Sequence, residues 1–187
     1  MGKFRNIYSN KKIDKRIFIM LKIGDLAPSF CAANQDDVEI CSRDLAGKWI
    51  VLYFYPKDLT PGCTTQACDF TDKHSFFDDL DAVILGVSTD DTEKHRKFID
   101  KYDLTITLLS DSSKKICEDF GVWQLKQFMG KEFMGVVRTT FIINPEGKIA
   151  AIWDKVSVRK KKSVKGEKIE ILHVDEVRTK LQELQSI

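Results

Sequence analysis

The fold is decided by residues 53–68, which read YFYPKDLTPGCTTQAC. An apolar run over residues 50–55 stops at Pro56, and a short loop with a second proline and a glycine leads to Cys63. We expect a buried strand, a loop stiffened by its prolines, and a helix that begins next to the cysteine. The first turn of a helix has unpaired N–H groups and the positive end of the macrodipole, and both stabilise an anion such as a thiolate. Residues 53–68 therefore predict a nucleophilic cysteine at the start of a helix.

Strands and helices alternate along the rest of the chain. Continuous apolar runs predict buried strands at residues 49–55 and 82–88. The other predicted elements are strands at 38–40, 106–109, 136–143 and 148–156, a helical turn at 42–47, and helices at 62–80, 90–102, 112–120 and from 174 onward. Strands that alternate with helices and end in a hairpin and a final helix predict a three-layer α/β/α domain.

Composition indicates an ordinary globular domain. The 187 residues carry a formal net charge of +2, with 43% hydrophobic and 31% charged residues, so charge gives no reason to expect a nucleic-acid partner. No stretch approaches the roughly 20 apolar residues of a membrane span, and we expect no membrane partner. The sequence contains no internal repeat and no sign of a second domain.

Residues 1–20 are interpreted as a basic N-terminal extension that precedes one domain of residues 21–187. The apolar run at residues 17–21 is shorter than the ~7–15 residues of a secretory signal, and no small-residue cleavage site follows it. Met20 is a candidate natural start. An organelle transit peptide remains the alternative interpretation of the extension.

The cysteine content favours reactive thiols over structural disulfides. Five cysteines are an odd number and too few for a disulfide scaffold in a chain of this length. A reducing, cytoplasmic setting fits this usage. Cys31, Cys41 and Cys117 belong to no motif, and we expect each to be a core side chain.

Pro56, Thr60 and Cys63 have the spacing Pro-x-x-x-Thr-x-x-Cys, which matches the active-site signature of the peroxiredoxins. The longer string from Tyr55 to Phe70 closely resembles the subgroup called bacterioferritin comigratory protein, or peroxiredoxin Q. The resemblance implies a thioredoxin-like fold with an N-terminal addition, and the activity of a thiol-dependent peroxidase. It extends to the C-terminus with one insertion at residues 159–166, which we interpret as a solvated loop or a hairpin extension.

The resemblance also implies roles for the residues of this motif. Cys63 would be the peroxidatic cysteine, and Cys68 would resolve its sulfenic acid as an intramolecular disulfide. Thr60 would bind the peroxide oxygens together with the backbone N–H groups of Gly62 and Cys63. Pro56 would cover the site and limit the access of solvent.

Arg138 is one charged residue in the otherwise apolar stretch 136–141, so it needs a partner. It matches the Arg-x-Thr-Phe pattern of the same family, which implies that its guanidinium holds the Cys63 thiolate and orients the peroxide. Gln66 stands where relatives often have a glutamate. Its neutral amide could hydrogen-bond Arg138 but could not pair the charge.

The resemblance implies hydrogen peroxide and small organic hydroperoxides as substrates, and a thioredoxin-like or glutaredoxin-like dithiol as reductant. It implies no metal, haem or flavin cofactor, and we expect a monomer. A metal site of Cys63, Cys68 and His74 is disfavoured, because these positions do not converge on one helix face. The basic run at residues 159–165 lacks the aromatic residues and fold signature of a nucleic-acid site.

Two rival functions use the same cysteines. A thiol–disulfide oxidoreductase on this fold usually has Cys-x-x-Cys at the helix start, which is absent here. A redox-switched binding protein or holdase would use Cys63 and Cys68 as a sensor. The sensor would be oxidised once, whereas an enzyme would turn over peroxide repeatedly with a reductant.

Overall fold

The computed structural model describes residues 21–164 and 167–186, so the predicted extension of residues 1–20 lies outside the described residues. The strands are β1 Cys31–Asn34, β2 Glu39–Cys41, β3 Trp49–Phe54, β4 Ala82–Ser88, β5 Thr107–Ser110, β6 Trp123–Phe128, β7 Lys131–Val136, β8 Thr139–Ile143, β9 Ile149–Trp153, β10 Arg159–Val164 and β11 Glu167–Leu172. The helices are α1 Pro61–Asp72, α2 His74–Asp78, α3 Thr92–Tyr102, α4 Lys115–Asp119 and α5 His173–Gln185, with a 3₁₀ turn at Ser42–Leu45. None of the described helices is long and apolar enough to cross a membrane.

A sheet of seven strands, in the order β2-β1-β5-β4-β3-β8-β9, forms the middle layer of the described chain. The central strand β3 pairs in parallel with β4 and antiparallel with β8. Helices cover both faces of the sheet, which is the predicted α/β/α arrangement. The two segments that hold the predicted site residues lie next to β3, because α1 follows β3 in the chain and Arg138 immediately precedes β8.

The core is divided by the sheet into two apolar clusters. Alternate side chains of β3 point to opposite faces, so Tyr53 enters one cluster and Phe54 the other. The first cluster packs α1, α2, α3 and α5 onto the sheet, and the second packs α4 and the 3₁₀ turn. Full burial of one large apolar side chain stabilises the fold by about 1.5–3 kcal/mol, which explains why β3 reads as a continuous apolar run.

The predicted helix at residues 62–80 is two helices, α1 and α2. The chain leaves the helical conformation at Lys73, where φ is −107° and ψ is 7°. Helix α1 starts at Pro61, one residue earlier than expected, because a proline at the first helical position sacrifices no hydrogen bond. The helix predicted from residue 90 begins at Thr92, and its N-cap is Asp91, whose carboxylate accepts from the N–H of Lys94 at 2.9 Å.

The predicted strand at residues 136–143 is also interrupted. Val137 and Arg138 lie between β7 and β8, and their backbones bond elsewhere: the Val137 N–H donates to Val122 O, and Arg138 O accepts from the N–H of Val156. The strand β7 pairs with β6 in a separate hairpin that the apolar pattern did not predict. The interruption places Arg138 at the end of the sheet next to α1.

The preference for reactive thiols over structural disulfides is wrong for Cys31 and Cys41, which form a disulfide. The prediction of a core side chain is wrong for Cys31 and confirmed for Cys41. They lie opposite each other in the antiparallel pair β1 and β2, an arrangement that brings their sulfurs together. Cys31 is exposed and Cys41 is buried. The prediction holds for Cys117, where burial, reinforced by the nearby Asp111 carboxylate, raises the pKa of the thiol well above its ordinary value.

The insertion forms a hairpin extension, one of the two predicted alternatives. Strands β10 and β11 pair antiparallel over six residue pairs, and residues 165–166 between them lie outside the described residues. Lys160 binds both oxygens of Glu176 on α5 at 3.1 Å, which attaches the hairpin to the body of the domain.

Candidate active site

Cys63 lies in the first turn of α1, three residues after the N-cap Thr60. Its side chain is only 1% exposed, yet its thiol is free and carries no disulfide. Arg138 Nη2 donates to Cys63 Sγ at 3.2 Å. A sulfur at a helix N-terminus that also receives a guanidinium N–H is in a setting that stabilises the thiolate.

Arg138 is oriented by a second contact from the same helix. Its Nη1 donates to Gln66 Oε1 at 2.5 Å, and Gln66 is buried one turn after Cys63. Within the described part of the chain, no carboxylate lies at ion-pair distance from Arg138. The guanidinium charge is therefore directed to the thiolate, because Gln66 positions the group without neutralising it.

Gly62 gives the guanidinium room to approach. A Cβ built on Gly62 would lie 3.4 Å from Arg138 Nη2, so a larger side chain at this position would compete with the arginine for space. The backbone at residue 62 is exposed and belongs to the first helical turn, whose N–H groups have no partner within the helix.

Thr60 and Pro56 lie in the loop before the helix, and neither contacts Cys63 through a described hydrogen bond. The Thr60 hydroxyl donates to Lys57 O at 2.9 Å, while its carbonyl accepts from the N–H of Thr64 at 2.8 Å. The hydroxyl therefore does not cap the helix, and its oxygen lone pairs remain available at the mouth of the site. Pro56 is half-buried.

Cys68 lies on the same helix as Cys63, and no disulfide joins the two. Five residues along a regular helix correspond to a rise of ~7.5 Å and a rotation of about 500°. Both thiols are free, and Cys68 is half-buried. Burial raises the pKa of Cys68, and the carboxylates of Asp72 and Asp69 raise it further, against an opposing effect of Arg159.

Sequence reasoning missed a buried polar network beneath the loop. The Asp58 carboxylate accepts from the Tyr55 hydroxyl at 2.6 Å and lies 2.7 Å from Nδ1 of His95. Its backbone N–H donates to Asp90 Oδ2 at 2.8 Å, and Asp90 also binds Ser88. Since Asp58 and His95 have almost no exposed side-chain surface, this pair ties the middle of the loop to α3.

The network holds the loop in an unusual backbone conformation. Leu59 has a φ of +62°, in the left-handed region that a residue with a side chain seldom adopts. Such a conformation costs of order 1–3 kcal/mol and persists only when neighbours enforce it. The bonds of Asp58 on one side and the start of α1 on the other enforce it here. The signal in the sequence was an aspartate between two prolines.

The described residues contain one cluster of potential metal ligands, formed by Cys31, Glu39 and Cys41, and its two sulfurs are joined as a disulfide. His74 does not join the cysteines of α1. Its Nδ1 lies 2.8 Å from the Thr105 hydroxyl, and its Nε2 lies 3.7 Å from Asp78. The chemistry of the site is therefore that of a thiol, a guanidinium and backbone N–H groups.

Comparison with known proteins gives consistent results. Residues 23–152 match the model of the AhpC/TSA family. The chain is 50% identical over 139 residues to peroxiredoxin Bcp of Bacillus subtilis, which covers 74% of this chain and 88% of that protein. It is 44% identical over 134 residues to peroxiredoxin Bcp of Escherichia coli K12, covering 72% and 86% of the two chains.

Solved structures are similar over most of the fold. A mutant of Xylella fastidiosa PrxQ superposes with a TM-score of 0.76 at 31% identity, covering 88% of this chain and 98% of that chain. Xanthomonas campestris bacterioferritin comigratory protein superposes with a TM-score of 0.72 at 35% identity, covering 83% and 91%. That structure was described in connection with alkyl peroxide reduction and a trapped intermediate.

Proposed function

The chain belongs to the AhpC/TSA family and is a thiol-dependent peroxidase of the Bcp and PrxQ peroxiredoxins, and we propose that Cys63 is its nucleophile. The observation that carries this assignment is the contact of 3.2 Å between Arg138 Nη2 and the sulfur of a buried, unbridged cysteine at a helix N-terminus. Among the described residues, no guanidinium donates to the sulfur of Cys68 or Cys117, and burial and neighbouring carboxylates raise the pKa of both thiols.

In the first step, the Cys63 thiolate attacks the terminal oxygen of a hydroperoxide. The S–O bond forms while the O–O bond breaks, and the leaving oxygen takes a proton and departs as water or an alcohol. The sulfur becomes a sulfenic acid. Negative charge moves from sulfur to the leaving oxygen, so fixed donors around both atoms lower the barrier. We assign this role to Arg138, to the N–H groups of Gly62 and Cys63, and to the Thr60 hydroxyl.

We propose hydrogen peroxide and small organic hydroperoxides as the substrates. Cys63 is almost completely enclosed, so only a narrow terminal O–O group can reach the sulfur. The half-buried Pro56 would limit the water that reaches the sulfenic acid. The Xanthomonas campestris relative, described in connection with alkyl peroxide reduction, supports the organic part of this range.

In the second step, the Cys68 thiolate attacks the sulfur of the sulfenic acid. The S–S bond forms and hydroxide leaves, to be protonated to water. In a regular helix the two Cα atoms are roughly 8–9 Å apart, beyond the ~7 Å that a disulfide spans, so α1 must unwind first. Oxidation to the sulfenic acid and its resolution therefore use two conformations of the same segment.

A dithiol of the thioredoxin or glutaredoxin type then reduces the Cys63–Cys68 disulfide and is itself oxidised. Because both cysteines lie on one helix, one chain suffices for the cycle, and we propose a monomer working in the cytoplasm. Peroxide-dependent NADPH oxidation in the presence of thioredoxin and its reductase tests the cycle. We expect repeated turnover that Cys63→Ser abolishes and Cys117→Ser leaves unchanged. One equivalent of oxidation without turnover would instead identify a redox sensor.

A further inference from the structure

Arg159, the first residue of the β10–β11 hairpin, forms a two-point ion pair with the active-site helix. Its Nη2 donates to Asp69 Oδ1 at 2.6 Å, and its Nε donates to Asp69 Oδ2 at 3.3 Å. Asp69 follows Cys68 directly and is only 5% exposed. The side-on fork of an arginine on a carboxylate is the strongest and most directional form of such a pair.

The hairpin holds this arginine in place from its own side. Arg159 Nη1 lies 3.6 Å from Glu170 Oε2 on β11. The neighbouring Lys160 binds Glu176 on α5, and the N–H of His173 donates to Val158 O, just before β10. The guanidinium of Arg159 is therefore held in a fixed position against α1. The hairpin that holds it, β10–β11, is inserted between β9, the last strand of the sheet, and α5.

We propose that Arg159 and Asp69 are positioning residues that hold the second half of α1 in its helical state and so slow the formation of the Cys63–Cys68 disulfide. This inference rests on the proposed function. To meet Cys63, Cys68 must leave its helical position, and the peptide that joins it to Asp69 must rotate with it. The rotation withdraws the Asp69 carboxylate from the guanidinium, so the ion pair must break before the sulfurs can react.

The consequence is a choice between two fates of the sulfenic acid. While α1 stays helical, the Cys63 sulfenic acid faces the peroxide site and can react with a second hydroperoxide. A second S–O bond then forms as the O–O bond breaks, water or an alcohol leaves, and the sulfur becomes a sulfinic acid. Once α1 unwinds, Cys68 captures the same sulfur as a disulfide. A stronger ion pair lengthens the time that α1 stays helical after Cys63 is oxidised. It therefore increases the share of sulfinic acid at high peroxide concentration.

Arg159→Lys separates the geometry of the pair from its charge. Arg159 also favours the Cys68 thiolate electrostatically, so removing its charge would slow the attack of Cys68 while loosening the helix. A lysine retains the charge but loses the fork. Since Arg159 is 44% exposed, solvent screens the pair, and we expect disulfide formation to become about three- to tenfold faster.

The experiment mixes reduced protein with hydrogen peroxide, at one equivalent to follow the disulfide step and at a large excess to follow the sulfinic acid. Both series are quenched with acid and an alkylating reagent, and the sulfenic, disulfide and sulfinic forms are measured by mass spectrometry. We expect Arg159→Lys to leave the rate of Cys63 oxidation unchanged, to accelerate the disulfide step and to lower the sulfinic yield. Asp69→Asn should accelerate the disulfide step further, because the substitution also removes a carboxylate that opposes the Cys68 thiolate. Lys161→Ala is the matched control, since Lys161 is exposed on the same strand and makes no ion pair among the described residues.

In a Cys68→Ser background, Arg159→Lys should change nothing, because no disulfide can form at Cys63. A disulfide step in Arg159→Lys that is as slow as in the wild type, or slower, would overturn the inference. So would equal acceleration by Lys161→Ala. Failure of peroxide to oxidise Cys63 in the wild type would instead contradict the proposed function, so the two failures can be distinguished.

Discussion

Replacing Asp58 by alanine should destabilise the fold far more than its position in a surface loop suggests. The carboxylate satisfies the Tyr55 hydroxyl and His95 Nδ1, and all three groups are buried. Removing one partner of a buried, hydrogen-bonded pair costs about 3–5 kcal/mol, because the groups left behind stay out of water without a partner. For a domain of this size, ~1 kcal/mol shifts the Tm by about 2–4 °C, so we expect a decrease of roughly 6–20 °C.

Urea and thermal denaturation of wild type and Asp58→Ala in the same redox state measure this loss. The matched control is Glu93→Gln, which breaks an exposed pair with Lys97 on the same helix as His95. A solvent-exposed pair of this kind contributes little to stability, because water screens it. If Asp58→Ala lost no more stability than Glu93→Gln, the carboxylate would not be an essential part of the buried network. The stability loss of Asp58→Asn should lie between those of Asp58→Ala and Glu93→Gln. The amide keeps one acceptor oxygen, whereas the carboxylate uses one oxygen for the Tyr55 hydroxyl and the other for His95 Nδ1.

Three further predictions concern the chemistry. Arg138→Lys should slow oxidation of Cys63 by at least about tenfold and also slow its alkylation, because the charge remains but the fork is lost; unchanged rates of both reactions in stopped flow would remove the arginine from the mechanism. Formation of the Cys63–Cys68 disulfide should speed hydrogen exchange over residues 64–72, because it breaks several helix hydrogen bonds worth ~0.5–1.5 kcal/mol each. Equal protection in the reduced and oxidised protein, with the disulfide confirmed by mass spectrometry, would contradict this. The disulfide step should also accelerate as pH rises through the neutral and alkaline range, because burial and nearby carboxylates raise the pKa of Cys68; a flat profile in rapid quench would argue against a thiolate at this position.

Local sequence signals placed Cys63 at the start of a helix because its setting is local. A strand, two prolines, a glycine and a cysteine within 16 residues leave few alternatives for where the helix begins. Arg138 was predictable for a different reason. A charged side chain in an apolar stretch needs a partner, and Arg138 matches the Arg-x-Thr-Phe pattern of the family. The break between β7 and β8 was not visible, because Val137 and Arg138 are as compatible with a strand as their neighbours.

The missed buried network and the missed disulfide depend on contacts that no local pattern specifies. Asp58 and His95 are 37 residues apart and meet only because the loop after β3 packs against α3. Cys31 and Cys41 meet because of the register of a short hairpin, which neither residue specifies. Pairing in sheets is set by the fold as a whole, and a shift of one residue would have placed one of these cysteines on the opposite face.

The position of the two cysteines on one helix explains why parts of α1 are held in place with different strength. Cys63 needs an ordered first turn, since only then do Arg138 and the free N–H groups surround its sulfur. In the proposed cycle, Cys68 needs the same turns to open. The opening must also be reversible, and Phe70, fully buried and stacked 4.8 Å from Tyr53, keeps the end of α1 attached to the core. In the proposed cycle, Phe70 is the fixed point from which the helix re-forms after each reduction, and the pair between Asp69 and Arg159 controls how readily the helix opens.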